Sequence, residues 1–305
     1  MSRTLRTCGL LLPIVLLAGC SYLVPTRRKL PVPKGPAQVQ TVTADDLVDS
    51  LNQRWARLEG LTATVEIRAT QLKTKEGVAK DYPGCKGFIL MRKPGMLRVV
   101  GQYFGVRIFD MSSDGNRFML LMPTKSKVIE GSDTAEKKLV SSDENKDPSF
   151  ESLRPGFFFD AMVVRGVEPE DFYTRIADTE TIESSDKKHL FSVPEYVLSI
   201  TRHNQGSRND TPVRVVTFHR DDLLPYQQDL YDKRGNLETE ISYGPYADFN
   251  GVKYPSTITI KRPLEGIQLV LSVDRVVDNP PMTDDQFLIK LPDGVKVQDL
   301  DQAHP

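Results

Sequence analysis

The chain of 305 residues has few of the residues that most often carry catalysis: it contains four histidines and three cysteines. The histidines, His189, His203, His219 and His304, are far apart in the sequence, and no HExxH or HxH spacing supports a metal site. GxSxG, Walker and Rossmann signatures are also absent. We therefore predict a non-enzymatic protein with no cofactor and no metal. A catalytic site assembled from distant residues stays open as an alternative, with His203 and His219 on neighbouring strands as its candidates.

The chain also lacks an excess of charge of one sign, because 40 basic residues face 41 acidic ones. This balance gives no indication of a nucleic-acid partner. The cysteines are too few for a disulfide framework, because Cys8 and Cys20 belong to the N-terminal region and Cys85 has no further partner. Cys85 has no basic neighbourhood and no CxxC pattern, which favours a small structural residue over a reactive thiol.

The sequence has no apolar run of the roughly 20 residues that a membrane-spanning helix needs. The apolar stretch at residues 8–19 is shorter than that. It follows Arg3 and Arg6 and ends in Leu-Ala-Gly-Cys at residues 17–20. These four residues resemble the lipobox of bacterial lipoproteins, in which the signal peptide is cut before a cysteine that carries a diacylglyceryl group. Residues 1–19 are then a lipoprotein signal peptide, and Cys20 is the lipid attachment site. An ordinary secretory signal with an incidental cysteine is the alternative.

This N-terminal pattern predicts a lipid-anchored protein of the bacterial cell envelope. Residues 20–42 contain four prolines and few apolar residues, which is typical of an extended tether. Ser21 follows the cysteine, which is compatible with the outer membrane and a periplasmic domain. The first partner implied is therefore membrane lipid, held through the N-terminal acyl anchor.

After the tether, the periodicity predicts one helix followed by many strands. Thr43 and Asp46 form a capping-box pattern, and apolar residues recur at helical spacing, which predicts a helix over residues 44–59 closed by Gly60. From Leu61 the apolar residues alternate, as in a half-buried strand. Further strands are predicted at 87–92, 96–100, 106–111, 117–122, 126–130, 197–202, 213–220, 226–231, 237–243, 253–261 and 267–277.

Residues 131–187 interrupt the strand pattern and are predicted to be a polar loop followed by a helical lid. The loop covers residues 131–146, and Asp147-Pro148 is typical of a helix start that runs to Leu153. Phe157, Phe158 and Phe159 form the most apolar cluster after the signal, and a helical turn is predicted over residues 169–176.

Roughly ten to twelve strands with tight connections indicate a mainly β protein. We predict a large curved antiparallel sheet that forms an incomplete, half-open β-barrel, with the helices as lid or plug, within a single domain of residues 43–300. Such a barrel either holds a ligand or is plugged. The alternative is that the helices are simply core packed on the sheet, with no cavity.

Several segments of residues 44–295 resemble the LolA/LolB-like lipoprotein-carrier superfamily. These are Lys86-Gly87-Phe88, the run Arg-Val-Val-Gly-Gln-Tyr-Phe-Gly at 98–105, the segment 147–159, Tyr-Pro-Ser-Thr-Ile at 254–258, and Leu-Pro-Asp-Gly-Val at 291–295. The resemblance implies an incomplete barrel with an apolar hollow that binds the acyl chains of lipoproteins or lipids. Residues 131–146 and 166–212 have no clear counterpart in the compact receptor of this superfamily.

The resemblance implies transfer of acyl chains, with an acylated lipoprotein or lipid as ligand and a periplasmic carrier protein as partner. The hollow is predicted to be lined or closed by Val65, Ile67, Leu90, Val99, Ile108, Leu153, Phe157, Phe158, Phe159, Val215, Ile258 and Leu269. Phe104, next to Tyr103, occupies the position from which the receptor projects an apolar residue toward a membrane or partner; an ordinary turn aromatic is the alternative. Two other functions stay open: an assembly lipoprotein that binds another envelope protein through its sheet edge or loops, and an envelope hydrolase.

Overall fold

The computed structural model describes residues 38–73, 78–133, 155–184, 189–206 and 208–301. Most of them belong to a compact unit of residues 36–179 and 194–305, and a second unit includes residues 180–193. In the second unit, the backbone N–H of Ser184 donates to the carbonyl of His189 at 2.9 Å. The predicted signal peptide, Cys20, nearly all of the tether and the predicted helix ending at Leu153 lie outside the described residues.

The first helix, α1 (Ala44–Arg57), begins as the sequence predicts. The Thr43 side chain accepts from the backbone of Asp46, and the Asp46 side chain accepts from the backbone of Thr43, which together make the capping box. The helix ends two residues earlier than predicted, with Leu58 as its cap, because Gly60 already belongs to the first strand. Leu47, Val48 and Leu51 are its buried residues.

The structure describes sixteen strands; most follow the predicted pattern, and several are longer than predicted. They are β1 (Gly60–Lys73), β2 (Val78–Arg92), β3 (Met96–Tyr103), β4 (Val106–Ser113), β5 (Arg117–Met122), β6 (Lys127–Ser132), β7 (Asp171–Glu183), β8 (Leu190–His203), β9 (Asp210–His219), β10 (Pro225–Tyr231), β11 (Leu237–Tyr243), β12 (Tyr246–Phe249), β13 (Val252–Pro255), β14 (Thr257–Arg262), β15 (Ile267–Asp278) and β16 (Lys296–Asp299). A second helix, α2 (Pro155–Met162), and three short 3-10 helices, Pro123–Lys125, Pro263–Glu265 and Asp284–Phe287, complete the described elements.

Fourteen of these strands form one sheet, in the order β16-β6-β5-β4-β3-β2-β1-β15-β14-β11-β10-β9-β8-β7. Neighbours from β6 to β8 pair antiparallel, whereas β16 pairs with β6 in parallel. The hairpin of β12 and β13 forms a separate two-stranded sheet. Since β16 and β7 stand at opposite ends of the order, the sheet stays open in the part of the chain that the structure describes.

The curvature of the sheet follows from the contacts of α2. This helix contacts β3 and β4 and also β14, although β3, β2, β1 and β15 separate β4 from β14 in the sheet. With strands about 4.8 Å apart, a flat sheet would place β4 and β14 roughly 24 Å apart. A helix is only about 10–12 Å wide with its side chains. The sheet therefore curves around α2, and the predicted incomplete barrel with internal helices is confirmed.

Two predicted elements are wrong. Residues 169–176 do not form a helical turn, because Asp171–Glu183 is strand β7. Its side chains alternate: Tyr173 donates to Asp45 and Arg175 donates to the carbonyl of Val42, while Ile176 is exposed. The predicted strand 253–261 is two strands in different sheets, β13 and β14.

Candidate functional site

Every second residue of a strand points to the concave face of the curved sheet, and these residues are mostly apolar. Five of the predicted lining residues lie there with between 0% and 5% of their surface exposed: Val65, Ile67, Val99, Ile258 and Leu269. They belong to one buried cluster that also contains the phenylalanines of α2. The structure thus brings these five predicted residues together, although their strands are distant in sequence.

Three consecutive phenylalanines of α2 fill the space in front of this wall. Phe157, Phe158 and Phe159 are 4%, 2% and 2% exposed. The rings of Phe157 and Phe158 lie 4.4 Å apart, and the ring of Phe159 meets Trp55 of α1 edge-on at 6.3 Å. Each buried phenyl ring contributes roughly 1.5–3 kcal/mol. The helix thus occupies the concave face as an internal plug.

The remaining predicted lining residues are less uniformly placed. Ile108 is half-buried and packs against the main cluster. Leu90 alternates with the buried Ile89 and Met91, so it lies on the opposite, outer face of β2. Val215 is half-buried and adjacent to the buried Val216, so its side chain points to the opposite face of β9 from that of Val216. Leu90 is thus not among the residues that the structure brings together on the concave wall.

Two buried polar side chains, one on the curved sheet and one on the β12–β13 hairpin, hold the C-terminal half of α2 through its backbone carbonyls. Gln228, which is 1% exposed, donates to the carbonyl of Asp160 at 2.6 Å. Tyr254, which is 8% exposed, donates to the carbonyl of Met162 at 2.6 Å. Burial raises the pKa of Tyr254, so its hydroxyl remains a proton donor at neutral pH. Neither residue was predicted as part of the site, because isolated Gln and Tyr residues in strands carry no motif.

Two arginines and a carboxylate complete this polar end of the plug. Arg165 donates to the Asp160 carboxylate at 2.6 Å, and burial raises the pKa of Asp160 while Arg165 opposes that shift. Arg214 donates to the carbonyl of Gly166 at 2.9 Å, and its buried Nε has no hydrogen-bond partner among the described residues. Burial lowers the pKa of Arg214 from its ordinary value.

The hairpin between β3 and β4 presents an exposed aromatic pair. Phe104 is 90% exposed, and its ring lies 4.6 Å from the ring of Tyr103. Both Phe104 and Gly105 have positive φ angles, of 46° and 80°, so the tight turn requires the glycine and holds Phe104 outward. An open pocket on the outer face, of 490 Å³, is lined by this pair together with Lys86 and Phe88.

The residues considered for chemistry are not brought together. His203 lies opposite Asp210 and His219 lies opposite Glu195, so the two histidines occupy opposite ends of the β8–β9 pair. His203 pairs with Asp210 at 2.9 Å, and His219 stacks on Tyr226. No group of metal-ligating side chains occurs within the described ranges. Burial raises the pKa of the Cys85 thiol to about 11, which suits a structural cysteine.

The fold and the site define a class: a half-open antiparallel barrel whose apolar concave face is closed by its own helix. No family model and no curated protein matches the sequence. Among solved structures, the chain is similar to a LolA superfamily protein from Nitrosomonas europaea, with 15% identity and a TM-score of 0.47, over 82% of this chain and 99% of that one. It is also similar to a DUF1329 family protein from Desulfovibrio piger, with 14% identity and a TM-score of 0.47, over 80% of this chain and 95% of that one.

A third similar structure is the Mycobacterium tuberculosis lipoprotein LppX, with 10% identity and a TM-score of 0.26, over 79% of this chain and 99% of that one. One of these solved structures belongs to the LolA superfamily, which several segments of the sequence resemble. Among the described residues, no helix has the length and apolar character needed to cross a membrane.

Proposed function

We propose that this protein is a non-enzymatic, lipid-anchored lipoprotein of the bacterial envelope that binds the acyl chains of lipids or lipoproteins. Cys20 carries the anchor, and the domain faces the periplasm from the outer membrane. The chains occupy the concave face after α2 has moved away from it. The solved structures that resemble this chain include a LolA superfamily protein and a lipoprotein, which accords with the proposal.

One observation carries the proposal: an apolar wall built from distant strands is filled by the side chains of one short helix. The helix α2 has only eight residues. An isolated helix of that length is unstable in water, so α2 depends on its contacts with the wall. An acyl chain that offers the same wall a comparable apolar area replaces the phenyl rings without exposing the wall to water. Transfer then requires only that one apolar occupant exchange with another.

The exchange can be followed with Trp55, the single tryptophan of the chain. Purified protein, freed of bound lipid, is titrated with a labelled diacylated peptide. We expect saturable uptake and a change in Trp55 emission with the same dissociation constant, because Phe159 leaves its contact with the Trp55 ring. The Phe159→Leu variant, which lacks that ring contact, should take up the peptide with a smaller emission change. Unsaturable uptake, or saturable uptake without any response of Trp55, would contradict the proposal.

The exposed hairpin is proposed to contact the membrane or a carrier protein during transfer. Replacing Phe104 by serine should slow the transfer of the labelled peptide to vesicles roughly ten- to 100-fold, because about 1.5–3 kcal/mol of aromatic burial is lost at the encounter. Equilibrium uptake in solution should stay unchanged, since Phe104 lies outside the buried cluster. Leu264→Ser is the matched control, because Leu264 is also exposed, at 57%, on a different turn. Equal transfer rates in both variants would remove the hairpin from the mechanism.

A second function, binding of another envelope protein, is favoured by the edge strand β7. Phe172 and Ile176 on this strand are 60% and 54% exposed, and edge strands accept an added strand from a partner. Under this function, Ile176→Lys should abolish co-purification of an envelope partner while uptake of the diacylated peptide is unchanged. If co-purification persists in this variant, the partner does not bind through β7.

A further inference from the structure

The hydrogen bonds that hold α2 carry information about the ligand that replaces it. Its phenyl rings lie against the apolar wall, and its backbone carbonyls accept from two buried donors, Gln228 on the wall and Tyr254 on the β12–β13 hairpin. We infer that Gln228 and Tyr254 recognise the carbonyl group of the bound acyl chain, as in an ester or amide, by donating hydrogen bonds to it. This inference rests on the proposed function and specifies how the ligand is recognised.

The two donors are fully committed in the plugged state. The side-chain nitrogen of Gln228 donates both to the Asp160 carbonyl at 2.6 Å and to the Tyr243 hydroxyl at 2.7 Å. The Tyr254 hydroxyl lies 2.6 Å from the Met162 carbonyl oxygen. Both acceptors belong to the C-terminal half of α2, so the wall is polar at one end of the plug and apolar where the phenylalanines lie. A ligand that matches this wall has one polar carbonyl end and one long apolar end.

Removal of α2 takes the Asp160 carbonyl from Gln228, which keeps the Tyr243 hydroxyl as acceptor, and takes the Met162 carbonyl from Tyr254, all in a buried place. An unsatisfied buried donor is costly, whereas a ligand carbonyl restores the hydrogen bond. An alkyl chain without a carbonyl fills the apolar region but restores neither the hydrogen bond of the Tyr254 hydroxyl nor the one that Gln228 made to α2. The wall therefore discriminates between carbonyl-linked chains and hydrocarbon or ether-linked chains of equal length.

Arg214 adds a third donor at the same end of the plug. It is 7% exposed, and its Nε has no partner among the described residues even with α2 in place. The positive charge of Arg214 lowers the pKa of Asp160, which also lies at this end of the helix, and so opposes the effect of burial. An unpaired buried donor beside Gln228 and Asp160 favours a ligand with more than one acceptor oxygen, such as a diacylglyceryl group with two ester carbonyls.

The test compares two probes that differ only in this group: dioctanoyl phosphatidylcholine and its dioctyl ether analogue, each offered below the concentration at which it aggregates. We expect the full-length protein to bind the ester probe about tenfold more tightly, the effect of one to two buried hydrogen bonds. Tyr254→Phe should reduce this ester-to-ether ratio several-fold. Because loss of the Tyr254 hydroxyl also loosens α2, the ratio is the informative quantity, not either affinity alone.

Tyr246→Phe is the matched control. Tyr246 lies in the same hairpin as Tyr254, but its hydroxyl donates to the carbonyl of Pro225 at 2.8 Å and not to α2. The ester-to-ether affinity ratio of the Tyr246→Phe variant should equal that of the unmodified protein. Equal affinity for the two probes in the unmodified protein, or an unchanged ratio in both Tyr254→Phe and Gln228→Leu, would overturn the inference while the proposed acyl-binding function stands. Absence of binding of either probe would instead refute the proposed function, and the inference with it.

Discussion

Replacing Phe158 by alanine is expected to weaken the fold and to tighten acyl binding in the same protein. Phe158 is 2% exposed within the plug, so its truncation should lower the free energy of unfolding by about 3–5 kcal/mol. The lost contacts belong only to the plugged state, since the acyl-bound state has α2 displaced. The displacement becomes easier by the same amount, and about 3 kcal/mol corresponds to roughly 100-fold tighter binding. The Phe158→Ala substitution also leaves the contact between Phe159 and Trp55 intact, so Trp55 emission still reports on α2.

Phe218→Ala separates this effect from a general loss of stability. Phe218 is 1% exposed and belongs to the second buried cluster, where α1 packs on β8 and β9. Its truncation should destabilise the fold by a similar amount and leave the affinity for the labelled diacylated peptide unchanged. Urea unfolding and peptide titration of the two variants give both quantities. If Phe158→Ala loses stability without any gain in affinity, α2 is permanent core and not an exchangeable plug.

Replacing Cys20 by alanine is expected to release the protein from the membrane. The predicted anchor places two or three acyl chains on this one residue, and each buried CH₂ contributes roughly 0.8 kcal/mol, so its loss removes nearly all membrane affinity. The domain should stay folded, because Cys20 precedes the proline-rich tether and the first helix begins at Ala44. The measurement is the fraction of the protein in washed membranes, together with the unfolding transition of the released protein.

Cys85→Ala is the control for this experiment. Cys85 is a free, buried cysteine of the domain, so this variant should remain with the membranes as the unmodified protein does. Firm membrane association of Cys20→Ala would show that the anchor prediction is wrong. Release of Cys85→Ala as well as Cys20→Ala would show that loss of membrane association is not specific to Cys20, which would contradict the anchor prediction.

Much of the fold was predictable because it depends on local pattern. The capping box of Thr43 and Asp46 identified the start of α1, and the strand pattern identified β1 to β6, β8 to β11 and β15, whereas β12 was not predicted and β13 and β14 were predicted as one strand. The error at β7 has a physical cause: this strand lies at the sheet edge and is mostly exposed, so its sequence lacks the clear apolar alternation of a half-buried strand. Pairing with the sheet, and not local propensity, decides its conformation.

The site was predictable only in its apolar part. Val65, Val99 and Ile258 could be assigned to one wall, because alternation tells which face of a strand is buried. Alternation misplaced Leu90, because the outer face of β2 also carries apolar residues, Phe88 among them. Gln228 and Tyr254 were missed, since their role depends on carbonyls of a helix far away in the sequence.

From the sequence by itself followed the predicted membrane location of this protein, through the Leu-Ala-Gly-Cys run, and the presence of one apolar face along many strands. Only the tertiary structure decided that this face curves around α2, that its phenylalanines fill the hollow, and that Gln228 and Tyr254 hold the plug by its carbonyls. The reason is that apolar burial is non-directional: a pattern tells which residues leave water, but not which apolar group they meet. The apolar group that each buried residue contacts is decided by the curvature of the sheet and by hydrogen bonds between residues distant in sequence.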